Sequence, residues 1–95
     1  MYGVFEWDTA KAAANLTKHR VSFVQASRIF AGPVLTRIDE RMDYGEPRFT
    51  SVGEADGRCL VVVHTPRGAS TRIISARRAI SAERASYYRI VYGNG

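Results

Sequence analysis

Residues 48–65, "RFTSVGEADGRCLVVVHT", contain two strand-like runs with a turn between them. The runs RFTSVGE and RCLVVVHT are rich in β-branched and apolar residues, and Asp56 followed by Gly57 is the usual signal of a tight hairpin. The second run is apolar along most of its length, so we expect a central strand that is covered on both faces. The stretch therefore predicts an antiparallel sheet at the centre of the fold.

Further strands are predicted on both sides of this hairpin. The run "VLTRID" at residues 34–39 precedes it, separated by the polar loop "ERMDYGEP", and "STRIISA" at residues 70–76 follows after a turn at "TPRG". A last helix is predicted from about residue 79 or 81 to residue 92. The residues that its spacing turns towards the core are Ala85, Tyr88 and Tyr92.

Two helices are predicted before the sheet. Asp8 is a suitable N-cap for a helix over residues 9–19, and Ser22 with Gln25 forms the capping box of a short second helix that ends at Gly32. Spacing in the first helix places on one face Lys11, Asn15 and Lys18, with His19 beside them, and on the opposite, apolar side Ala12 and Leu16. The whole order predicts a single α+β domain over residues 1–95, with two N-terminal helices, a four-stranded antiparallel sheet and a C-terminal helix.

The charge of the chain indicates an anionic partner. The 95 residues include 14 basic and 9 acidic ones, which gives a net charge of +5, and 12 of the 14 basic residues are arginine. Arginine binds phosphate and carboxylate groups in a bidentate manner, whereas lysine acts as a point charge. RNA, DNA and an acidic protein all fit this bias, and net charge does not choose among them.

The cellular location is predicted from what the sequence lacks. The single cysteine, Cys59, has no partner for an internal disulfide, which favours a reducing compartment. No apolar stretch approaches the roughly 20 residues that span a bilayer, and the first residues do not resemble a signal peptide. We therefore expect a cytoplasmic protein that does not contact membranes.

Four arginines lie in the last predicted strand or next to its ends and are candidates for a phosphate site: Arg67, Arg72, Arg77 and Arg78. By alternation Arg72 shares a face with Ile74, while Arg77 continues the face of Ile73 if the strand extends that far. We expect at least two of the four arginines to hold phosphate. The alternative is that they bind an acidic protein or pair with carboxylates of the chain itself, namely Glu46, Glu54 or Glu83.

Four segments together resemble the BrnT family of bacterial type II toxins, whose fold is similar to that of RelE-type ribonucleases. The segments are "FEWDTAKAAANLTKHRVSF" (5–23), "GEPRF" (45–49), "GRCLVVVHTPRG" (57–68) and "RIISARRAISAERASYY" (72–88). One position departs from the family pattern, because Arg20 stands where the family usually has a glycine after the "KH" pair. A left-handed helix cap at a residue other than glycine costs about 1 kcal/mol.

The resemblance implies a toxin that cleaves RNA and blocks translation. It also implies a protein partner, a BrnA-like antitoxin that forms a hetero-oligomer with the toxin and carries the part that binds operator DNA. We expect no metal ion and no cofactor, because one cysteine, two scattered histidines and no clustered aspartates do not form a recognisable metal site.

Cleavage of RNA without a metal ion needs a base, an acid and cations around the phosphate. His19 is the candidate acid or base, since an imidazole can act in either direction near neutrality; alternatively it only complements the end of its helix. The arginines proposed to stabilise the reacting phosphate are Arg72, Arg77 and Arg78. The additional RNA contacts proposed are Lys18, Arg67 and Tyr87, the last by stacking on a base.

Other residues are weaker candidates. His64 lies in an apolar strand and is better explained as a core or edge histidine. Glu54 is either a carboxylate base or a cross-strand partner. A rival hypothesis explains the same arginines without catalysis, as a basic module that binds an acidic protein or nucleic acid.

Overall fold

The computed structural model describes residues 3–93, which form three α-helices and a five-stranded mixed sheet. The strands are β1 (Val4–Glu6), β2 (Leu35–Ile38), β3 (Phe49–Ala55), β4 (Arg58–Arg67) and β5 (Ser70–Arg78). The helices are α1 (Thr9–His19), α2 (Phe23–Ser27), which a 3-10 helix over Arg28–Ala31 continues, and α3 (Ser81–Tyr92). The strand order is β1-β5-β4-β3-β2, so the apolar strand β4 is central, as predicted. None of the helices in residues 3–93 has the length and apolar character needed to cross a membrane.

The prediction of a four-stranded antiparallel sheet was wrong at the start of the chain. Strand β1 pairs in parallel with β5, with Val4 opposite Ser70 and Glu6 opposite Arg72. Three residues are too few to show the two-residue alternation by which a strand is recognised. Their partners also lie 66 residues further along the chain, so no local signal announces the pairing.

The sheet is covered by α1 and α2 on one face and by α3 on the other. The first core contains Val21, Phe23 and Ile29 from the helical side and Leu60 and Val62 from β4, all at most 1% exposed. In β3 the chain needs Gly53, because a Cβ atom there would lie 2.9 Å from the Cβ of Ile29 and 2.9 Å from Cγ1 of Val34. The helical layer therefore sits directly on the backbone of β3.

The second face of the sheet is covered only in part. Its small core contains Cys59, Val61, Ala79 and Tyr87. Tyr87 is 1% exposed and its hydroxyl donates to the carbonyl of Pro33 at 2.7 Å. The prediction that Ala85 and Tyr92 face the core was therefore wrong, and both are exposed. The spacing of apolar residues does not show which side of α3 faces the sheet. That side is set by the hydroxyl of Tyr87, which needs a hydrogen-bond acceptor that only the folded chain provides.

A β-bulge in β5 changes which face each arginine occupies. His64 pairs with Ile73 while Val63 pairs with Ser75, so Ile74 is an extra residue in β5. Arg72 is opposite Thr65 and Arg77 is opposite Val61, two residues of β4 that alternation puts on the same face. The prediction that Arg72 and Arg77 leave opposite faces was therefore wrong.

The hairpin after β4 also differs from the prediction. Strand β4 continues through Pro66, which is opposite Thr71, to Arg67. The turn itself uses Gly68, whose φ of 58° lies in the left-handed region. The turn predicted at "TPRG" is thus displaced towards its last residue.

The predicted bounds of the first helix are confirmed, but the face assigned to Asn15 was wrong. The Asn15 side chain is buried and donates to the carbonyls of Val21 at 3.0 Å and Ala76 at 2.8 Å, and it accepts from the amide of Ala76 at 3.2 Å. Leu16, predicted on the apolar side, is 48% exposed. The amide of Asn15 therefore attaches α1 to the part of β5 that extends beyond its pairing with β1.

Candidate functional site

A basic cavity of about 390 Å³ lies on the face of the sheet that carries α3, beyond the part that α3 covers. Its floor includes Thr50, Val61, Val63 and Ser75. The basic residues around it are His19, Arg37, Arg41 and Arg77. Asp39 and Glu40 complete the polar part of the lining.

The strand register brings distant parts of the chain to this cavity. One transverse row of the sheet runs from Ser75 in β5 through Val63 and Thr50 to Arg37 in β2. Strands in a sheet are about 4.8 Å apart, so the ends of this row are separated by about 14 Å at the backbone. Arginine side chains on either side of the cavity can extend over much of that width. The floor between the two sides is formed by β-branched residues of β4 and β3.

Arg77 is held in a fixed orientation by Glu83 in the first turn of α3. Its two terminal nitrogens donate to the two carboxylate oxygens at 2.8 and 2.9 Å, and one of them also donates to the carbonyl of Arg78 at 3.2 Å. The carboxylate of Glu83 also accepts from the amide of Ile80 at 2.9 Å. The Arg77 guanidinium lowers the pKa of Glu83 to about 2. The ion pair therefore keeps both charges and fixes the junction between β5 and α3.

Arg41 is held in the same way by Asp39. Its Nε and one terminal nitrogen donate to the two carboxylate oxygens at 3.0 and 2.9 Å, and the pKa of Asp39 is lowered to about 2 by these contacts. The Arg41 side chain is 77% exposed, so its remaining donors are open to a ligand. The side chain of Arg37 makes no hydrogen bond or ion pair with any other residue of the range 3–93, although its charge helps to lower the pKa of Glu83.

His19 is the last residue of α1 and lies at the edge of the cavity, half-buried. Its position follows from Asn15, one turn earlier, which attaches the helix to Ala76 next to Arg77. Arg20 ends the helix with φ 60° and ψ 29°, and its amide donates to the carbonyl of Leu16. The left-handed conformation expected at this position is therefore adopted by an arginine.

Of the seven residues proposed from sequence, His19 and Arg77 line the cavity. Arg72 pairs instead with Glu6 at 3.1 Å, about four strand positions or 13 Å from Arg77. Arg78 is exposed and, by its pairing with Leu60, lies on the opposite face of the sheet. Arg67 is near the tip of the β4–β5 hairpin.

The remaining two proposed residues lie outside the cavity for different reasons. Lys18 is exposed and follows the solvent side of α1. Tyr87 is buried, so neither face of its ring is free to stack on a base. The proposed stacking role of Tyr87 therefore does not fit its environment.

Sequence reasoning missed Arg37, Arg41 and Glu40. Arg37 belongs to "VLTRID" and the other two to the loop that follows it, so this is also a strand exit with arginines. The same signal that drew attention to "RIISARR" was present there. The sequence does not show that the side chains of Arg37 in β2 and Arg77 in β5 lie on the same face of the sheet.

His64 and Glu54 have structural partners. The Nε2 atom of His64 is 2.7 Å from the Ser51 hydroxyl, and its ring packs against Phe30 and Phe49, so the core interpretation is confirmed. Burial lowers the pKa of His64. Glu54 accepts a hydrogen bond from the Tyr88 hydroxyl at 2.7 Å, which raises the pKa of Tyr88 to about 12. Within residues 3–93 no three His, Cys, Asp or Glu side chains are grouped so that they could hold a metal ion.

Comparison with known proteins adds one match. The model of a family described as "Ribonuclease toxin, BrnT, of type II toxin-antitoxin system" matches residues 7–83. The matched segment includes every residue that lines the cavity and ends at Glu83, the partner of Arg77. None of the curated proteins matches the chain.

Proposed function

The chain belongs to the BrnT family of ribonuclease toxins of type II toxin–antitoxin systems, and we propose that it is an endoribonuclease that cleaves RNA in the basic cavity without a metal ion. The observation that carries this proposal is the convergence of His19, Arg37, Arg41 and Arg77 on one cavity. A phosphate group in the cavity would be surrounded by cations on three sides. Such an arrangement stabilises the charge that develops at phosphorus in the transition state.

Two of the arginines are oriented before RNA binds. Arg77 and Arg41 each use part of their guanidinium group on a carboxylate, Glu83 and Asp39 respectively. Each guanidinium has five N–H donors, so donors remain for phosphate oxygens. Because the side chains are already fixed, less conformational entropy is lost when they bind the substrate. The unpaired Arg37 supplies a third cation that can follow the phosphate as the reaction proceeds.

His19 and Glu40 are the proposed proton-transfer groups. Glu40 acts as the base that takes the proton from the 2′-hydroxyl, and His19 acts as the acid. The 2′-oxygen then forms a bond to phosphorus, the bond from phosphorus to the 5′-oxygen breaks, and His19 gives its proton to that 5′-oxygen. The products are a 2′,3′-cyclic phosphate and a free 5′-hydroxyl. Positioned acids and bases of this kind contribute typically 10²–10⁴-fold to the rate.

Lys18 is exposed and adjacent in sequence to the cavity residue His19, and we assign it a contact with a flanking phosphate of the RNA. Arg78 is exposed on the opposite face of the sheet and is left out of the proposed site. Arg72 is engaged by Glu6, and Arg67 is about 20 Å from Val61 along β4, so neither belongs to the proposed site.

Cleavage of messenger RNA in the cytoplasm would block translation, and this is the proposed basis of toxicity. A BrnA-like antitoxin would neutralise the toxin in a hetero-oligomer and would contact operator DNA through its own DNA-binding part. The toxin itself is not proposed to bind DNA.

The proposal is tested with purified protein and ribosome-free RNA in excess chelator. The wild type is expected to shorten the RNA and to leave 2′,3′-cyclic phosphate ends. His19→Ala and Glu40→Gln are expected to slow cleavage by about 10²-fold or more. Arg67→Ala, which removes an arginine outside the cavity, is the matched control and should cleave at the wild-type rate.

Two results would contradict the proposal. Cleavage that stops in chelator and returns with a divalent cation would refute the metal-free chemistry. Intact RNA in every lane, with binding that weakens steeply as salt is added, would support the rival basic binding module, because such salt dependence reports phosphate contacts alone.

A further inference from the structure

A second recess of about 390 Å³ lies between α3 and the edge strand β2, and we call it the α3–β2 groove. It is lined mainly by apolar side chains, which include Leu35, Val52 and Ile90. Ile90 is 59% exposed although it lies beside the small core that Tyr87 anchors. The groove is therefore an apolar surface that the described chain leaves uncovered.

The groove lies next to the basic cavity. Arg37, Thr50 and Val61 line both recesses, so a molecule in the groove would contact residues of the cavity. At this shared end Arg37 has no ion-pair partner among the described residues. The combination is an apolar slot with an unpaired cation at one end.

We propose that the antitoxin binds the toxin by placing the apolar side chains of an acidic amphipathic segment in the α3–β2 groove and a carboxylate on Arg37. A carboxylate on Arg37 occupies a cation that the proposed function assigns to RNA, so the same contact blocks cleavage. The proposed binding rests on the groove and on membership of the toxin family. Only the block of RNA cleavage also rests on the proposed function. The volume suits a few side chains of one segment and not an entire helix.

Charge complementarity selects this occupant. The toxin carries a net charge of +5, Arg37 lines the end of the groove next to the cavity, and the exposed Arg41 lines the cavity beyond it. The carboxylate of Glu83, which also lines the groove, is already bound by the guanidinium of Arg77. A second copy of the same chain would bring further positive charge to this end. RNA has charges of the right sign but no aliphatic side chains to cover Leu35, Val52 and Ile90. An acidic segment with an apolar face satisfies both parts of the surface.

The apolar contact is tested by Ile90→Arg in the full-length toxin, with the antitoxin encoded in the same operon as the probe. We expect binding to weaken by about tenfold or more, because a charged side chain would enter the apolar contact. Val24→Arg is the matched control, since Val24 is 50% exposed and lines neither recess. Equal affinities of the two variants, measured by titration calorimetry, would overturn the proposal.

The charge contact is tested at Ala82, an exposed groove residue in the first turn of α3. Ala82→Glu is expected to bind the acidic antitoxin at least about threefold more weakly than Ala82→Lys, because it places a like charge near the incoming carboxylate. The expected order for the stability of α3 is the reverse of that for binding, since an acidic residue is favoured at a helix N-terminus and a basic one is not. A thermal unfolding scan that ranks Ala82→Glu as the more stable variant would therefore exclude misfolding as the cause. Tighter or equal binding by Ala82→Glu would overturn the proposal.

Both tests read antitoxin affinity, so they do not depend on nuclease activity. If the wild type cleaves no RNA but Ile90→Arg loses the antitoxin, the proposed function fails and the docking surface stands. If RNA is cleaved and Ile90→Arg keeps the antitoxin, the docking surface fails alone. A toxin dimer without antitoxin that Ile90→Arg dissociates, seen by analytical ultracentrifugation, would show that a second copy occupies the groove and would also overturn the proposal.

Discussion

Arg77 and Glu83 form a two-pronged ion pair across the junction of β5 and α3, with nitrogen–oxygen distances of 2.8 and 2.9 Å. The pair fixes the guanidinium that faces the basic cavity. A lysine at this position has a single ammonium group and cannot bind Glu83 and a phosphate in the same geometry.

We therefore expect Arg77→Lys to slow RNA cleavage by about tenfold while the unfolding free energy changes by no more than about 1 kcal/mol, since the pair is partly exposed. Single-turnover cleavage and urea unfolding measure the two effects. Arg72→Lys is the control, because Arg72 pairs with Glu6 away from the cavity. Equal slowing by both substitutions would argue against a specific role of Arg77.

Replacing Arg20 by glycine should stabilise the protein. Arg20 ends α1 with φ 60°, a conformation that costs about 1 kcal/mol for a residue other than glycine. We expect Arg20→Gly to raise the free energy of unfolding by about that amount. Lys18→Gly, two residues earlier within the helix, should lower it by about 0.5–1 kcal/mol. The comparison fails if the two glycines change stability in the same direction.

Removing the Asn15 side chain should destabilise the fold strongly. Its amide supplies the hydrogen-bond partners of both backbone groups of Ala76 and of the carbonyl of Val21. We expect Asn15→Ala to lower the free energy of unfolding by about 3 kcal/mol, because buried polar groups lose their partners. Leu16→Ala, at the neighbouring and half-exposed position, should cost less than about 1 kcal/mol. Similar losses in urea unfolding for both variants would show that the hydrogen bonds of the Asn15 side chain do not contribute specially to stability.

His64 should make stability depend on pH. Burial lowers its pKa in the folded state below the value of about 6.5 expected in the unfolded chain. The unfolded state therefore binds more protons as pH falls through 6.5, and stability decreases with decreasing pH there. His64→Gln should remove this component of the pH dependence, whereas the change at the other histidine, His19→Gln, should retain it. Urea unfolding between pH 5 and pH 8 measures the difference.

The elements of the fold could be predicted where the signal is local. Asp8 accepts from the amide of Lys11, and Ser22 accepts from the amide of Gln25, as the N-caps of α1 and α2 require. The turn at Asp56 and Gly57 joins β3 and β4. Each of these features depends on residues within four positions of one another, so the sequence alone contains enough information.

The missed features all depend on distant parts of the chain. The pairing of β1 with β5 joins residues 66 positions apart, and Arg37 reaches the cavity only because β2 is the third strand from β5. The bulge at Ile74 inverts the face assignment of every arginine on one side of it, yet nothing in "RIISARR" marks the extra residue. The chemistry of the candidate site could therefore be predicted from residue types. Which residues line the site could not, because that depends on the order and pairing of the strands.

The pairing of β1 with β5 has a consequence for the synthesis of a toxin on the ribosome. The N-terminal strand emerges first but finds its partner only after residues 70–72 have been made. The cavity likewise needs residues from His19 to Arg77, and Arg77 needs Glu83 to orient it. A nascent chain thus lacks the complete cavity, and with it the place proposed for RNA cleavage, until Glu83 has been made.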